Sequence, residues 1–288
     1  MVYYYAQTGH KIGLDRARRG TAVVKALQSA GIEAALLAND FRAGVAMKEL
    51  GLRDYITVET ILDVDAVAKE DDAVMVDSCE EDKGKTALYA ERFACFGRVS
   101  ADTPQTRFEN ELLMVPFCDE TSCIDGVVVD AMYAVDKPKT ERILFFYGDA
   151  DYDKTVLSNK AFFQEVAMEL VWGHYFFVKY EDALAELFPV IHESETYADV
   201  LTSSTTVVTA SSQTALEARA AGAKTVYIRR ETCPNYNDDT LRAFGVDIID
   251  GFDAAALQDA LKRPVNPDMP RPQPFDATSL AEKCKHFS

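Results

Sequence analysis

The sequence predicts an α/β protein of two lobes, each a parallel sheet with helices on its faces. Three observations predict it. Short apolar runs alternate with longer amphipathic segments along nearly the whole chain, the pattern of successive βα units. One polar stretch, Val135-Asp136-Lys137-Pro138-Lys139-Thr140-Glu141, interrupts that alternation near the middle. The length, 288 residues with 48% apolar, suits two cores of roughly 140 residues each better than one.

In the first half, strands are predicted over 2–6, 33–37, 55–58, 73–77 and 94–99, where short apolar runs are bounded by polar or turn residues. Helices over 16–30, 43–50, 61–69 and 83–92 fill the intervals. In the second half, strands are expected over 143–147, 175–178, 206–209, 225–228 and 247–249. Helices are expected over 154–170, 196–201, 212–221, 238–244 and 254–261. Pro138 breaks any element running through the polar stretch, which places the lobes at 1–137 and 138–288. Five prolines between 263 and 275 predict an extended strap. A last short helix over 276–287 would return toward the first lobe.

Composition bounds the function. Thirty Lys and Arg against 47 Asp and Glu leave a net charge of −17, which excludes broad binding to a nucleic-acid backbone. A nucleotide ligand is compatible with it, since helix N-termini and a few arginines can hold a diphosphate. No run approaches the ~18 apolar residues of a spanning helix. The start, Met1-Val2-Tyr3-Tyr4-Tyr5, lacks the features of a secretory signal, so a cytoplasmic protein is the simplest expectation. Six scattered cysteines include one close pair, Cys118 and Cys123, without a second half to complete a zinc site. Buried, reduced thiols are expected, with no metal and no other cofactor. Nothing in the sequence sets the oligomeric state.

The most informative segment is Val207-Val208-Thr209-Ala210-Ser211-Ser212-Gln213-Thr214-Ala215-Leu216-Glu217-Ala218. An apolar strand ends in small residues and a helix begins at once, with serine as its cap. The unpaired N–H groups of such a start suit a diphosphate. Glu217, about one and a half turns in, could accept both hydroxyls of a ribose. The same local pattern also describes an ordinary capped helix carrying a solvated glutamate.

Continued by Arg219-Ala220-Ala221-Gly222-Ala223-Lys224-Thr225-Val226-Tyr227-Ile228, this segment resembles the donor-binding signature of GT-B glycosyltransferase-like proteins. Within them the chain most resembles the UDP-sugar hydrolase of pseudaminic acid biosynthesis, and more distantly the peptidoglycan GlcNAc transferase. The resemblance implies two Rossmann-like lobes facing a central cleft and a UDP-sugar held by the second. Phe145-Phe146-Tyr147-Gly148-Asp149-Ala150-Asp151 is similar to the strand and glycine turn that open that lobe. Gly148 would face the phosphates, while Asp149 and Ala150 replace the family's second glycine and hydroxyl residue. The segment from Val190 to Leu201 resembles the part that covers the base, with Ile191 at the base edge.

The family loop Ile-Gly-x-Gly-His-x-x-Arg corresponds here to Ile12-Gly13-Leu14-Asp15-Arg16-Ala17-Arg18-Arg19. Gly13 and Arg19 match its flanks and inherit an expected role in binding substrate. Arg16 stands where the family has its water-activating histidine, and a guanidinium stays protonated. Arg16 would suit anion clamping, whereas Arg18 and Arg19 also fit a solvated helix face. His10 in the same loop could supply the missing base, or be an ordinary loop histidine. Asp77 and Asp102, at the carboxyl ends of first-lobe strands, resemble acidic site residues of the hydrolase, and Asn39, Asp40, Arg42 and Ser78 are candidates because they too lie at such strand ends. Each is also a common cap or loop residue. His174, His192 and His286 are expected to be structural or exposed.

The implied activity is hydrolysis of a UDP-linked amino sugar, or its transfer to an alcohol, in surface-glycan biosynthesis. Two alternatives stay open: a noncatalytic protein that holds a sugar nucleotide, and a structural partner in a glycosylation complex.

Overall fold

The computed structural model describes residues 1–176, 180–230 and 234–286. The chain falls into two compact units: Met1–Gly9, Arg16–Asp130 and Pro274–Ser288 in the first, His10–Asp15 and Ala131–Gln273 in the second.

In the first unit, β1 (Val2–Ala6), β2 (Ala34–Ala38), β3 (Tyr55–Thr57), β4 (Ala73–Asp77), β5 (Cys95–Val99), β6 (Glu111–Val115) and β7 (Cys123–Asp125) form one sheet. Its order is β3-β2-β1-β4-β5-β6-β7, and every pairing is parallel. β1, β2 and β4 are buried throughout, which explains why they read as continuous rather than alternating apolar runs. Helices α1 (Asp15–Ser29), α2 (Phe41–Glu49) and α3 (Lys85–Arg92) connect the strands. Gly20 lets α1 lie close on the sheet, because a Cβ there would come within 2.6 Å of the Tyr4 ring. The expected helix at 61–69 is instead a 3₁₀ turn, Ile61–Ala66, closed by a Thr60–Asp63 capping box. Strands β6 and β7 were not foreseen. Glu111 starts β6 with its carboxylate buried and held by Arg98, a pairing that charge content alone does not show.

The second unit repeats the architecture. Its strands are β8 (Thr140–Phe146), β9 (Glu169–Val171), β10 (Ile191–His192), β11 (Ser204–Thr209), β12 (Lys224–Arg229) and β13 (Asp247–Asp250). They form a second parallel sheet in the order β10-β9-β8-β11-β12-β13. Helices α4 (Thr155–Ser158), α5 (Lys160–Glu165), α6 (Glu181–Ala185), α7 (Tyr197–Ser203), α8 (Ser212–Ala220), α9 (Asp238–Ala243) and α10 (Ala254–Lys262) accompany it. Phe145, Phe162, Phe163 and Phe188 form the aromatic centre of one core layer. At about 1.5–3 kcal/mol for each large apolar side chain fully buried, such a layer anchors the sheet.

Two expectations are corrected here. The single helix over 154–170 is two short helices followed by β9. Asn159 breaks it, leaving helical geometry and bonding its own amide back to the Thr155 carbonyl, an asparagine habit that competes with helix continuation. The strand expected at 175–178 is absent over Tyr175 and Phe176, while residues 177 and 178 lie outside the described residues. β9 takes its place in the sheet.

The proline-rich segment is irregular, and α11 (Ala277–His286) follows it. This last helix belongs to the first unit, tied by the Phe275 N–H to the Val129 carbonyl and by Lys283 Nζ to the Thr121 carbonyl. The expectation of uniformly reduced thiols is also corrected: Cys118 and Cys123 form a disulfide. Cys79, Cys95 and Cys284 are thiols, and Cys233 lies outside the described residues. Among the described residues no helix is long and apolar enough to cross a membrane.

Candidate functional site

In both sheets the chain reverses its direction of winding between the first and fourth strands. Ligands of open α/β sheets bind at the carboxyl end of that switch point. It lies between β1 and β4 in the first unit, and between β8 and β11 in the second.

In the first unit Ala6 is in register with Asp77, the last residue of β4. The Asp77 carboxylate is 1% exposed. Arg19 donates to both of its oxygens, at 2.8 and 2.7 Å, and the Tyr4 hydroxyl donates at 2.7 Å. Arg16 adds an ion pair at 3.3 Å and reaches the Cys79 sulfur at 2.9 Å. Arg16, Arg18 and Arg19 are all buried, so the solvated helix face considered for Arg18 and Arg19 is corrected. Burial on this scale requires compensation of charge, which Asp77 provides for Arg16 and Arg19. The other strand ends are quieter. Asn39 accepts from the Thr8 N–H and hydroxyl, Asp40 caps α2, and Asp102 is exposed.

In the second unit Thr209 is in register with Phe146, and the Ala210 N–H donates to the Phe146 carbonyl. Gly148 and Ser211 therefore share the switch point. Gly148 has φ +127°, a conformation that favours glycine. Arg230 lies near it, stacked over the Tyr147 ring at 4.6 Å. Ser211 caps α8 by accepting from the Thr214 N–H, and its hydroxyl donates to Asp15 at 2.8 Å. Ser212 accepts from the N–H groups of Asn235 and Tyr236 at 3.1 and 3.2 Å. Glu217 is 2% exposed; it accepts from the Tyr197 hydroxyl at 2.6 Å and from Gln213 Nε2 at 3.0 Å. The solvated glutamate of the simpler alternative is thus absent.

The remaining candidates surround these groups unevenly. Ile191 is in the edge strand β10, half-buried. Gly13 has φ +87° in the segment that also carries His10 and Asp15. His10 is exposed, with its ring 4.7 Å from that of Tyr175. His174 and His192 each bond a carboxylate, of Asp149 and Glu169 respectively, and the side chain of His286 is outside what is described. Burial, with the Asp15 charge second, pushes Tyr227 up to about 12. No three His, Cys, Asp or Glu side chains converge on a metal position among the described residues.

Sequence reasoning missed Asp15, Tyr197, Gln213 and the Asp149–His174 pair as members of this polar group. Gln213 and Glu217 did carry a signal, being four apart on one helix and so on one face. Asp15 carried another, standing where the related loop has its second glycine, as Asp149 does in the turn after β8.

The fold is shared with known structures. A UDP-GlcNAc 2-epimerase of Methanocaldococcus jannaschii in complex with UDP-GlcNAc and UDP superposes with TM-score 0.61 at 11% identity, covering 99% of this chain and 100% of the other. MnaA of S. aureus in complex with UDP gives TM-score 0.65 at 11% identity, over 99% and 96%. The fold is of the GT-B type. The spinosyn rhamnosyltransferase SpnG, solved with spinosyn aglycone, agrees at TM-score 0.57 and 12% identity over 100% and 95%. No family model matches the chain, and no curated protein is similar to it in sequence.

Proposed function

We propose that the chain binds a nucleoside-diphosphate sugar, with uridine as the nucleoside, at the turn between β11 and α8. The observation that carries this reading is the position of Ser211, Ser212 and the buried Glu217 at the switch point of the second sheet. Gly148, in the same place, leaves its turn without a side chain, and Arg230 offers a cation for a diphosphate. The UDP bound in two structures of the same fold supports the choice of ligand. On this reading the start of α8 receives the diphosphate and Glu217 meets the ribose hydroxyls. Tyr197 and Gln213 hold that carboxylate in one orientation beforehand, which lowers the cost of ordering it on binding.

The chemistry we favour is cleavage of the sugar from UDP, by water or by an alcohol, on a UDP-linked amino sugar of surface-glycan synthesis. Helix N–H groups and Arg230 would stabilise the departing diphosphate. The acid–base role falls to His10, an exposed imidazole whose ring nitrogens can both accept and donate a proton. Arg16, Arg19 and Asp77 direct their charges at one another and would act by holding the turn after β1.

A second reading, a noncatalytic holder of a sugar nucleotide, is favoured by the same acidic residues that weaken the first. Asp15 and Asp149 bring carboxylates to the two turns where glycines would admit phosphate. Calorimetric titration with UDP and UDP-GlcNAc tests both. Saturable binding is expected, weakened about tenfold, or roughly 1.4 kcal/mol, by Glu217→Gln. Silence from both UDP and UDP-GlcNAc would remove the site. Release of free UDP from UDP-GlcNAc then separates an enzyme from a holder, and undiminished release by His10→Ala would strip that histidine of its role.

A further inference from the structure

The mechanism above leaves one pair of nucleophilic side chains unused. Cys95 opens β5 and Cys284 lies on α11, 189 residues apart in sequence, yet their sulfurs are 2.8 Å apart. A disulfide bond is about 2.05 Å long, so under about 1 Å of further approach would join them. Both thiols line a cavity of about 340 Å³ in the first unit, together with Met1, Val2, Ile32 and Ala281. Cys95 is buried, whereas Cys284 is half-buried and can be reached from that cavity.

We propose that Cys95 and Cys284 form a reversible redox pair that, when oxidised by a low-molecular-weight disulfide, ties the last helix covalently to the first sheet. The environment assigns the two sulfurs different parts. The hydrogen bond from Cys95, helped by the nearby N-terminal ammonium, holds the Cys284 thiol below its ordinary range. The same hydrogen bond, together with burial, pushes Cys95 well above it. A depressed, accessible thiol is the attacking group, and the buried neighbour resolves.

The Cys284 thiolate attacks one sulfur of the small disulfide. That S–S bond breaks, the mixed disulfide forms, and the first small thiol leaves with the proton from Cys284. Cys95 then loses its proton and attacks the Cys284 sulfur. The second small thiol departs with that proton, and the Cys95–Cys284 bond remains. The protein is oxidised by two electrons, and the small disulfide is reduced to two thiols.

Oxidising the folded, full-length protein with glutathione disulfide provides the test. Free thiols are then alkylated before unfolding, and the unreduced digest is read by mass spectrometry. The expected result is one cross-linked peptide pair joining Cys95 to Cys284, which dithiothreitol reverses. In Cys95→Ser, the expected product is a stable glutathione adduct on Cys284. An adduct on Cys284 without a link in the unsubstituted protein would overturn the proposal, and so would alkylation of both cysteines after oxidation.

Discussion

The two switch points are built from the same strand order and filled with opposite chemistry. In the first unit a carboxylate, two guanidiniums and a phenol satisfy one another in a buried cluster around Asp77. In the second, a glycine turn and a serine-capped helix are surrounded by acids, with Glu217 behind them and Asp15 on Ser211. The first arrangement uses its polar groups to hold the turn after β1. The second presents a helix start and an oriented acceptor, the features a diphosphate and a ribose require. On the function proposed above, the same topological position serves stability in one sheet and a ligand in the other.

The sharpest break in this comparison is Asp77→Ala. It would leave two buried guanidiniums without their shared counter-charge, a loss of about 3–5 kcal/mol, read as a lower denaturant midpoint. An effect under about 1 kcal/mol would mean that the cluster is not a closed structural unit and return Arg16 and Arg19 to ligand binding.

A smaller change is expected in the second unit. Asp15→Asn removes a negative charge beside the start of α8 while keeping an acceptor for Ser211. Charges at helix ends are worth about 0.3–1 kcal/mol, so UDP should bind roughly two- to fivefold more tightly, with little change in melting temperature. Weaker binding would show that Asp15 contacts the ligand favourably.

The smallest effect at neutral pH is in the buried phenols. Tyr227 and Tyr89 are pushed up to about 12, chiefly by burial, and Tyr5 and Tyr180 are raised further by burial and a carboxylate partner. In the unfolded chain all four ionise near 10. Folding therefore favours the protonated form. Its contribution is full below pH 10 and is lost as pH rises toward the folded values. Phenolate absorbance should lag behind that of free tyrosine and then rise together with loss of near-UV circular dichroism. Smooth titration near 10 with the fold intact would contradict this burial.

Much of the fold was legible because buried parallel strands are nearly continuous apolar runs, as in Ala73–Asp77, and amphipathic helices lie between them. Short strands such as Ile191–His192 were not, since two residues carry no period. Glu111 disguised β6, because a charge reads as exposed until its partner Arg98 is placed. Of the candidate site, the Ser211–Glu217 turn was legible as a local pattern. The partners of its side chains were not.

The sequence by itself determined the alternation of strands and helices, the capped start of α8 and the departures at Arg16, Asp149 and Ala150. Tertiary structure decided what those charges do. It closed Arg16 and Arg19 on Asp77, set Asp15 against Ser211, buried Glu217 under Tyr197, and brought Cys284 to Cys95. The physical reason is range. Backbone preferences and apolar periodicity act within a few residues, whereas an ion pair or a thiol contact depends on groups brought together across tens or hundreds of residues.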